Sequence, residues 1–121
     1  MPAKILVVED DRPILELMEL LLHRMGYEPV LIPDGIEALN SVKTSPPALI
    51  LLDIMMTPIN GWEFLESLRA DPATKEIPVI IFSASPTIDE KMVTLNDKHL
   101  GVLAKPVSFT ELKDGIERFL H

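Results

Sequence analysis

Cysteine is absent from this 121-residue chain, which removes disulfides, thiolate zinc sites and cysteine nucleophiles together. Cations are scarce as well: 11 lysines and arginines stand against 19 acids, a net charge of −8. A sequence-independent grip on nucleic acid needs clustered basic side chains facing phosphates, so direct nucleic-acid binding is not expected. No apolar stretch reaches the roughly 18 residues of a membrane span, and no membrane partner is expected. The opening Met1-Pro2-Ala3-Lys4 runs directly into an apolar strand pattern, without the layout of a secretory signal. Low-complexity tracts, internal repeats and shifts of composition are missing too. Residues 1–121 therefore read as one domain, and a cytoplasmic location is the plain expectation.

What is present is an ordinary globular balance, 47% hydrophobic and 25% charged, with an unusual arrangement. Four apolar runs each break off at a chemically active residue. Ile5-Leu6-Val7-Val8 stops at Glu9-Asp10-Asp11, and Leu49-Ile50-Leu51-Leu52 stops at Asp53. Val79-Ile80-Ile81-Phe82 stops at Ser83, and Val102-Leu103-Ala104 stops at Lys105-Pro106. Continuous hydrophobicity suits parallel strands buried on both faces. Open α/β sheets bind ligands outside the carboxyl ends of such strands, so these residues are expected to gather at one sheet edge.

Between the runs lie helical patterns. Pro13 opens the first, Ile14, Leu17, Met18, Leu21, Leu22 and Met25 recur at helical spacing, and Gly26 supplies the stop. Val30 to Ile32 is a short second strand. Asp34-Gly35 turns into a helix carrying Ala38, Leu39 and Val42, and Asn60-Gly61 into one carrying Phe64, Leu65 and Leu68. A weaker pattern covers 87–96. Ser108 with Glu111 three residues on has the spacing of a capping box ahead of Leu112, Ile116 and Phe119. Strand–helix alternation with short connections implies right-handed crossovers and a parallel sheet: an α/β fold of (βα)5 type.

The strand ends carry complementary chemistry. Placing Asp10 and Asp53 about 5 Å apart costs about 3 kcal/mol at an effective dielectric near 20, so such a cluster takes up a proton or binds a cation. Hard oxygen ligands suit Mg²⁺, held by one or two carboxylates together with water and phosphate oxygens. Asp53 is the candidate nucleophile, since a carboxylate can attack phosphorus to give an aspartyl-phosphate. That reaction needs cationic neutralisation of the phosphoryl group; Lys105 supplies it, and Ser83 adds a hydroxyl donor. Taken singly, each is an ordinary strand-end residue. Their joint placement carries the reading.

Val7-Val8-Glu9-Asp10-Asp11, Leu51-Leu52-Asp53-Ile54-Met55-Met56, Asn60-Gly61-Trp62-Glu63, Phe82-Ser83-Ala84 and Ala104-Lys105-Pro106 occur in one order and spacing. On these motifs the chain resembles a receiver domain of the two-component response-regulator family over essentially its whole length. The resemblance implies a doubly wound, flavodoxin-like five-stranded sheet in the order 2-1-3-4-5. It implies that Asp53 accepts phosphate from a histidine kinase or phosphotransfer protein. Asp10, Asp53 and the backbone carbonyl of Met55 would bind Mg²⁺, with Glu9 acting through water. Ser83 and Lys105 would hold the phosphoryl oxygens. The family's acidic pair maps best onto Glu9 and Asp10, with Asp11 the weaker candidate. Such a domain catalyses only its own phosphorylation and dephosphorylation. It passes the change through the surface of the 87–96 stretch, the fifth strand and the last helix to an output partner or domain, and a phosphorylation-dependent dimer is compatible with it.

Two departures stand out. The family commonly has Pro directly after the residue matching Met56, whereas Thr57 intervenes here before Pro58. Three residues before the lysine it usually has Tyr or Phe, and this chain has Val102. A valine cannot swing between buried and exposed positions as a large ring does. Output is therefore expected to depend on the loop after Ser83 and on 87–96. A receiver-like module signalling without phosphorylation would be expected to have lost one member of the set. A flavodoxin would want a hydroxyl-rich loop where Glu9, Asp10 and Asp11 stand. A haloacid-dehalogenase-type phosphatase would want Asp where Met55 stands. His23, His99 and His121 lack metal-ligand spacing, and Trp62 reads as a partly buried packing residue.

Overall fold

The apolar runs become strands because both of their faces are covered. A computed structural model describes residues 3–53, 60–83, 98–104 and 108–120. Its strands are β1 (Lys4–Val8), β2 (Glu28–Ile32), β3 (Leu49–Asp53), β4 (Val79–Ser83) and β5 (Leu100–Ala104). Its helices among the described residues are α1 (Arg12–Arg24), α2 (Gly35–Thr44), α3 (Gly61–Ala70) and α4 (Phe109–Leu120). The helix expected over 87–96 lies outside the described residues.

All strand pairs are parallel, and the sheet order is β2-β1-β3-β4-β5. This is the expected doubly wound, flavodoxin-like arrangement. Alternate residues of each strand feed two cores. Leu6, Val8, Ile50, Leu52, Val79 and Ile81 pack with Ala38 and Val42 of α2 and Phe64, Leu65 and Leu68 of α3. Ile5, Val7, Leu49, Leu51, Ile80 and Phe82 pack on the other face with Leu15, Met18 and Leu22 of α1 and Leu112 and Ile116 of α4.

Helix ends follow local chemistry. Asp34 Oδ1 accepts from the N–H groups of Ile36 and Glu37 at 2.8 and 3.1 Å and starts α2. Asn60 and Glu63 cap each other reciprocally at the start of α3. The expected Ser108–Glu111 box forms ahead of α4. Gly26, at φ 87°, ends α1. There the Gly26 N–H donates to the His23 carbonyl and the Tyr27 N–H to the Leu22 carbonyl, a Schellman motif.

Two details differ from the sequence pattern. On α1 the expected Ile14, Met18, Leu21, Leu22 and Met25 do pack on the sheet, but Leu15 joins them in place of Leu17, which is 45% exposed. Strand β2 begins at Glu28, because Pro29 is tolerated on an edge strand where a missing donor costs little. At the opposite end of the sheet, Arg69 donates to the carbonyls of Ile77 and His99 at 2.9 and 3.2 Å, bracing the entries to β4 and β5.

Candidate functional site

Register decides what meets at the carboxyl edge. Val8 pairs with Leu52, so Glu9 and Asp53, the next residues of their chains, emerge side by side. Phe82 lies opposite Asp53, and Ser83 opposite Ala104. The backbone of Ser83 thus ends β4 beside the last residue before Lys105. Lys105 and Met55 lie outside the described residues, as do Thr57 and Pro58.

The three acids converge. Carboxylate oxygens of Glu9, Asp10 and Asp53 all lie within 4.8 Å of one another. Glu9 is fully buried and Asp53 only 3% exposed, whereas Asp10 is exposed. The group thus has a dry side set in the protein and a side open to solvent. Among the described residues no buried side-chain nitrogen or oxygen lacks a hydrogen-bond partner. Two of these buried acids would repel strongly if nothing offset their charge. A cluster of hard oxygen donors with one open side has the chemistry of a site for a small divalent cation.

Asp11 stands apart from this group. It is the N-cap of α1, its side chain accepting from the Ile14 N–H at a long 3.5 Å. Its own N–H donates to Glu9 Oε1 at 3.1 Å. No sequence motif signals this contact. The run Asp11-Arg12-Pro13, an N-cap residue followed by Pro in the first turn, was the available signal for the cap.

Beyond the acids, Trp62 is half-buried and packs on the core under α2 and α3. Val102 is half-buried on β5 and packs against the same core. His23 is exposed and His99 partly buried, and neither belongs to the acidic group.

Residues 5–117 match the family model of the response regulator receiver domain. The chain belongs to that family. It is 34% identical over 112 residues to the phosphate regulon transcriptional regulatory protein PhoB of Escherichia coli (strain K12), covering 93% of this chain and 49% of that protein. The receiver thus spans about half the length of the curated relatives it matches. Among solved structures, the N-terminal domain of a response regulator receiver protein from Methanoculleus marisnigri JR1 is 38% identical with a TM-score of 0.79, covering 98% of this chain and 96% of that one. The receiver domain of sensor histidine kinase PA1611 from Pseudomonas aeruginosa PAO1 is 27% identical with a TM-score of 0.87, covering 98% of each chain. That neighbour has a magnesium ion coordinated in its active-site cleft. The receiver is a signalling domain of two-component systems, and among its described residues no helix is long and apolar enough to cross a membrane.

Proposed function

We propose that this receiver is a phosphoacceptor whose Asp53 takes a phosphoryl group from a histidine kinase or a histidine phosphotransfer protein. The observation that carries the reading is the convergence of Glu9, Asp10 and Asp53, ligand atoms within 4.8 Å, at the carboxyl ends of β1 and β3 with Asp10 exposed. A carboxylate oxygen of Asp53 attacks phosphorus, the P–N bond to the donor histidine breaks, and its electron pair leaves with the imidazole. Hydrolysis reverses the state: water attacks phosphorus, the Asp53–phosphorus bond breaks, and inorganic phosphate departs. The receiver acts on no other substrate.

Asp10 and Asp53 would hold Mg²⁺ together with the Met55 carbonyl, and Glu9 would act through water. The donor set supports this, because carboxylate and carbonyl oxygens are the ligands Mg²⁺ prefers. When bound, the ion supplies positive charge beside the phosphoryl oxygens. Asp53 would meet that charge from a nearly dry position at the end of β3, which limits competing solvation of the nucleophile. Lys105 neutralises a second phosphoryl oxygen, and the Ser83 hydroxyl donates to a third.

Residues 1–121 act as one receiver unit in the cytoplasm, and phosphorylation alters the face around 87–96, β5 and α4 for an output partner, an output domain or a second copy. Incubation with a small phosphodonor and Mg²⁺, followed by intact-mass measurement, tests the reading. The expected result is a gain of one phosphoryl group by the native chain and none by Asp53→Asn. An equal gain in the variant would overturn it.

A further inference from the structure

We infer that Asp11 is a positioning residue for the acidic cluster, acting through its backbone on Glu9 and contributing no ligand of its own. The inference rests on the reading that Glu9, Asp10 and Asp53 serve a Mg²⁺ site. Each polar group of Asp11 has an assigned task. Its N–H donates to Glu9 Oε1 at 3.1 Å, its carboxylate caps the Ile14 N–H, and its carbonyl accepts from the Leu15 N–H at 3.0 Å. The first contact belongs to the cluster and the other two to the start of α1. Asp11 is therefore the joint between helix and site.

The joint matters because Glu9 is completely buried. A glutamate has three side-chain torsions, and a fixed donor selects among the arrangements they allow. The direction of that donor depends on the extended backbone of Asp11, φ −85° and ψ 109°, which is the conformation of an N-cap. Removing the cap frees this backbone and with it the aim of the N–H. The carboxylate charge of Asp11 has no part in the arrangement, and Asp11 lies outside the group of converging ligand atoms. Uncharged capping residues are accordingly expected to replace it.

Titration of MgCl₂ into the folded receiver, followed by calorimetry, separates the roles. Asp11→Asn and Asp11→Ser keep a capping oxygen and are expected to bind Mg²⁺ within about twofold of the native chain. Asp11→Ala is expected to weaken binding by about tenfold, the scale on which partners of metal ligands act. In a Glu9→Ala background the same change is expected to add nothing further, since the residue through which it acts is gone. A loss in Asp11→Asn equal to that in Asp10→Asn would make Asp11 a ligand and overturn the inference. Native affinity in Asp11→Ala, or losses that multiply in the double variant, would overturn it equally. Should the native chain bind no Mg²⁺, the proposed phosphoacceptor chemistry fails first and this inference with it.

Discussion

Asp53 stands opposite Phe82 in the parallel β3–β4 ladder, one residue short of Ser83, while Ser83 itself lies opposite Ala104. The backbone of β4 thus runs one residue past the level of Asp53, and β5 ends beside it. In the proposed chemistry Ser83 and Lys105 hold the phosphoryl oxygens of the modified Asp53. Time courses of phosphoryl gain by intact mass should therefore grade the variants. Lys105→Ala is expected to slow the gain by about a hundredfold, the scale of losing one donor at developing charge. Ser83→Ala should slow it less, by about tenfold. Rates unchanged in both variants would remove these residues from the chemistry.

The acidic cluster predicts opposite effects of one substitution with and without metal. Asp10 is exposed and screened, so relieving its repulsion by Asp10→Asn should raise metal-free stability by no more than about 1 kcal/mol. At Mg²⁺ a hundredfold above its dissociation constant, the native chain should gain about 2.7 kcal/mol by mass action. The variant should gain far less. Thermal melts with and without MgCl₂ should thus reverse the order of the two proteins. The same order in both conditions would speak against a cation site.

Much of this arrangement was legible because its causes are local. Strand runs ended at Glu9, Asp53 and Ser83 as their hydrophobicity indicated, and the caps at Asp34, Asn60 and Ser108 depend on neighbours within three residues. Strand order came from family resemblance, since periodicity says nothing about which strands adjoin. The stripe of α1 is legible except at one position, because apolar residues crowd most of its circumference. Leu15 and Leu17 both fit beside Ile14, Met18, Leu21, Leu22 and Met25, and only packing on the sheet selects Leu15. The Asp11–Glu9 contact was illegible for another reason: it depends on where one backbone N–H points.

Those local devices can be ranked. Asn60→Ala removes one half of the α3 capping box and should cost about 1 kcal/mol in urea unfolding, with Asp34→Ala similar. Gly26→Ala meets no atom within 4 Å, so its penalty comes from the positive φ alone and should also be about 1 kcal/mol. Gly26→Asn should lose less, because asparagine visits that region readily. Equal losses for Ala and Asn would mean that the penalty is not conformational.

Tyr27 gives the fold a dependence on alkaline pH. Burial raises its phenol above the usual value of 10.0, and the negative charge of Glu117 raises it further. Below pH 10 the phenol is neutral in both folded and unfolded chains, and its contribution is fully present. Above pH 10 the unfolded chain loses the proton first, so stability falls until the folded phenol also ionises. Tyr27 is the single tyrosine, so tyrosinate absorbance reports it alone. The midpoint should lie above 10 and move downward in Glu117→Gln. Tyr27→Phe should flatten the decline in stability between about pH 10 and 11, the range just above the unfolded tyrosine value. A midpoint at the ordinary value would refute the account.

Val102 bears on how phosphorylation is read out. It pairs with Ile81, is half-buried, and packs on the core under α2 and α3. A β-branched side chain held there is restricted at χ1 and lacks the reach of an aromatic ring. Methyl NMR should therefore find the same Val102 rotamer before and after addition of a phosphate mimic. Val102→Ala should cost about 1 kcal/mol of stability from lost burial. It should leave the mimic-induced shifts elsewhere in the receiver in place, because the valine fills space and does not relay. If those shifts vanish in Val102→Ala while the mimic still binds, the side chain is part of the relay after all.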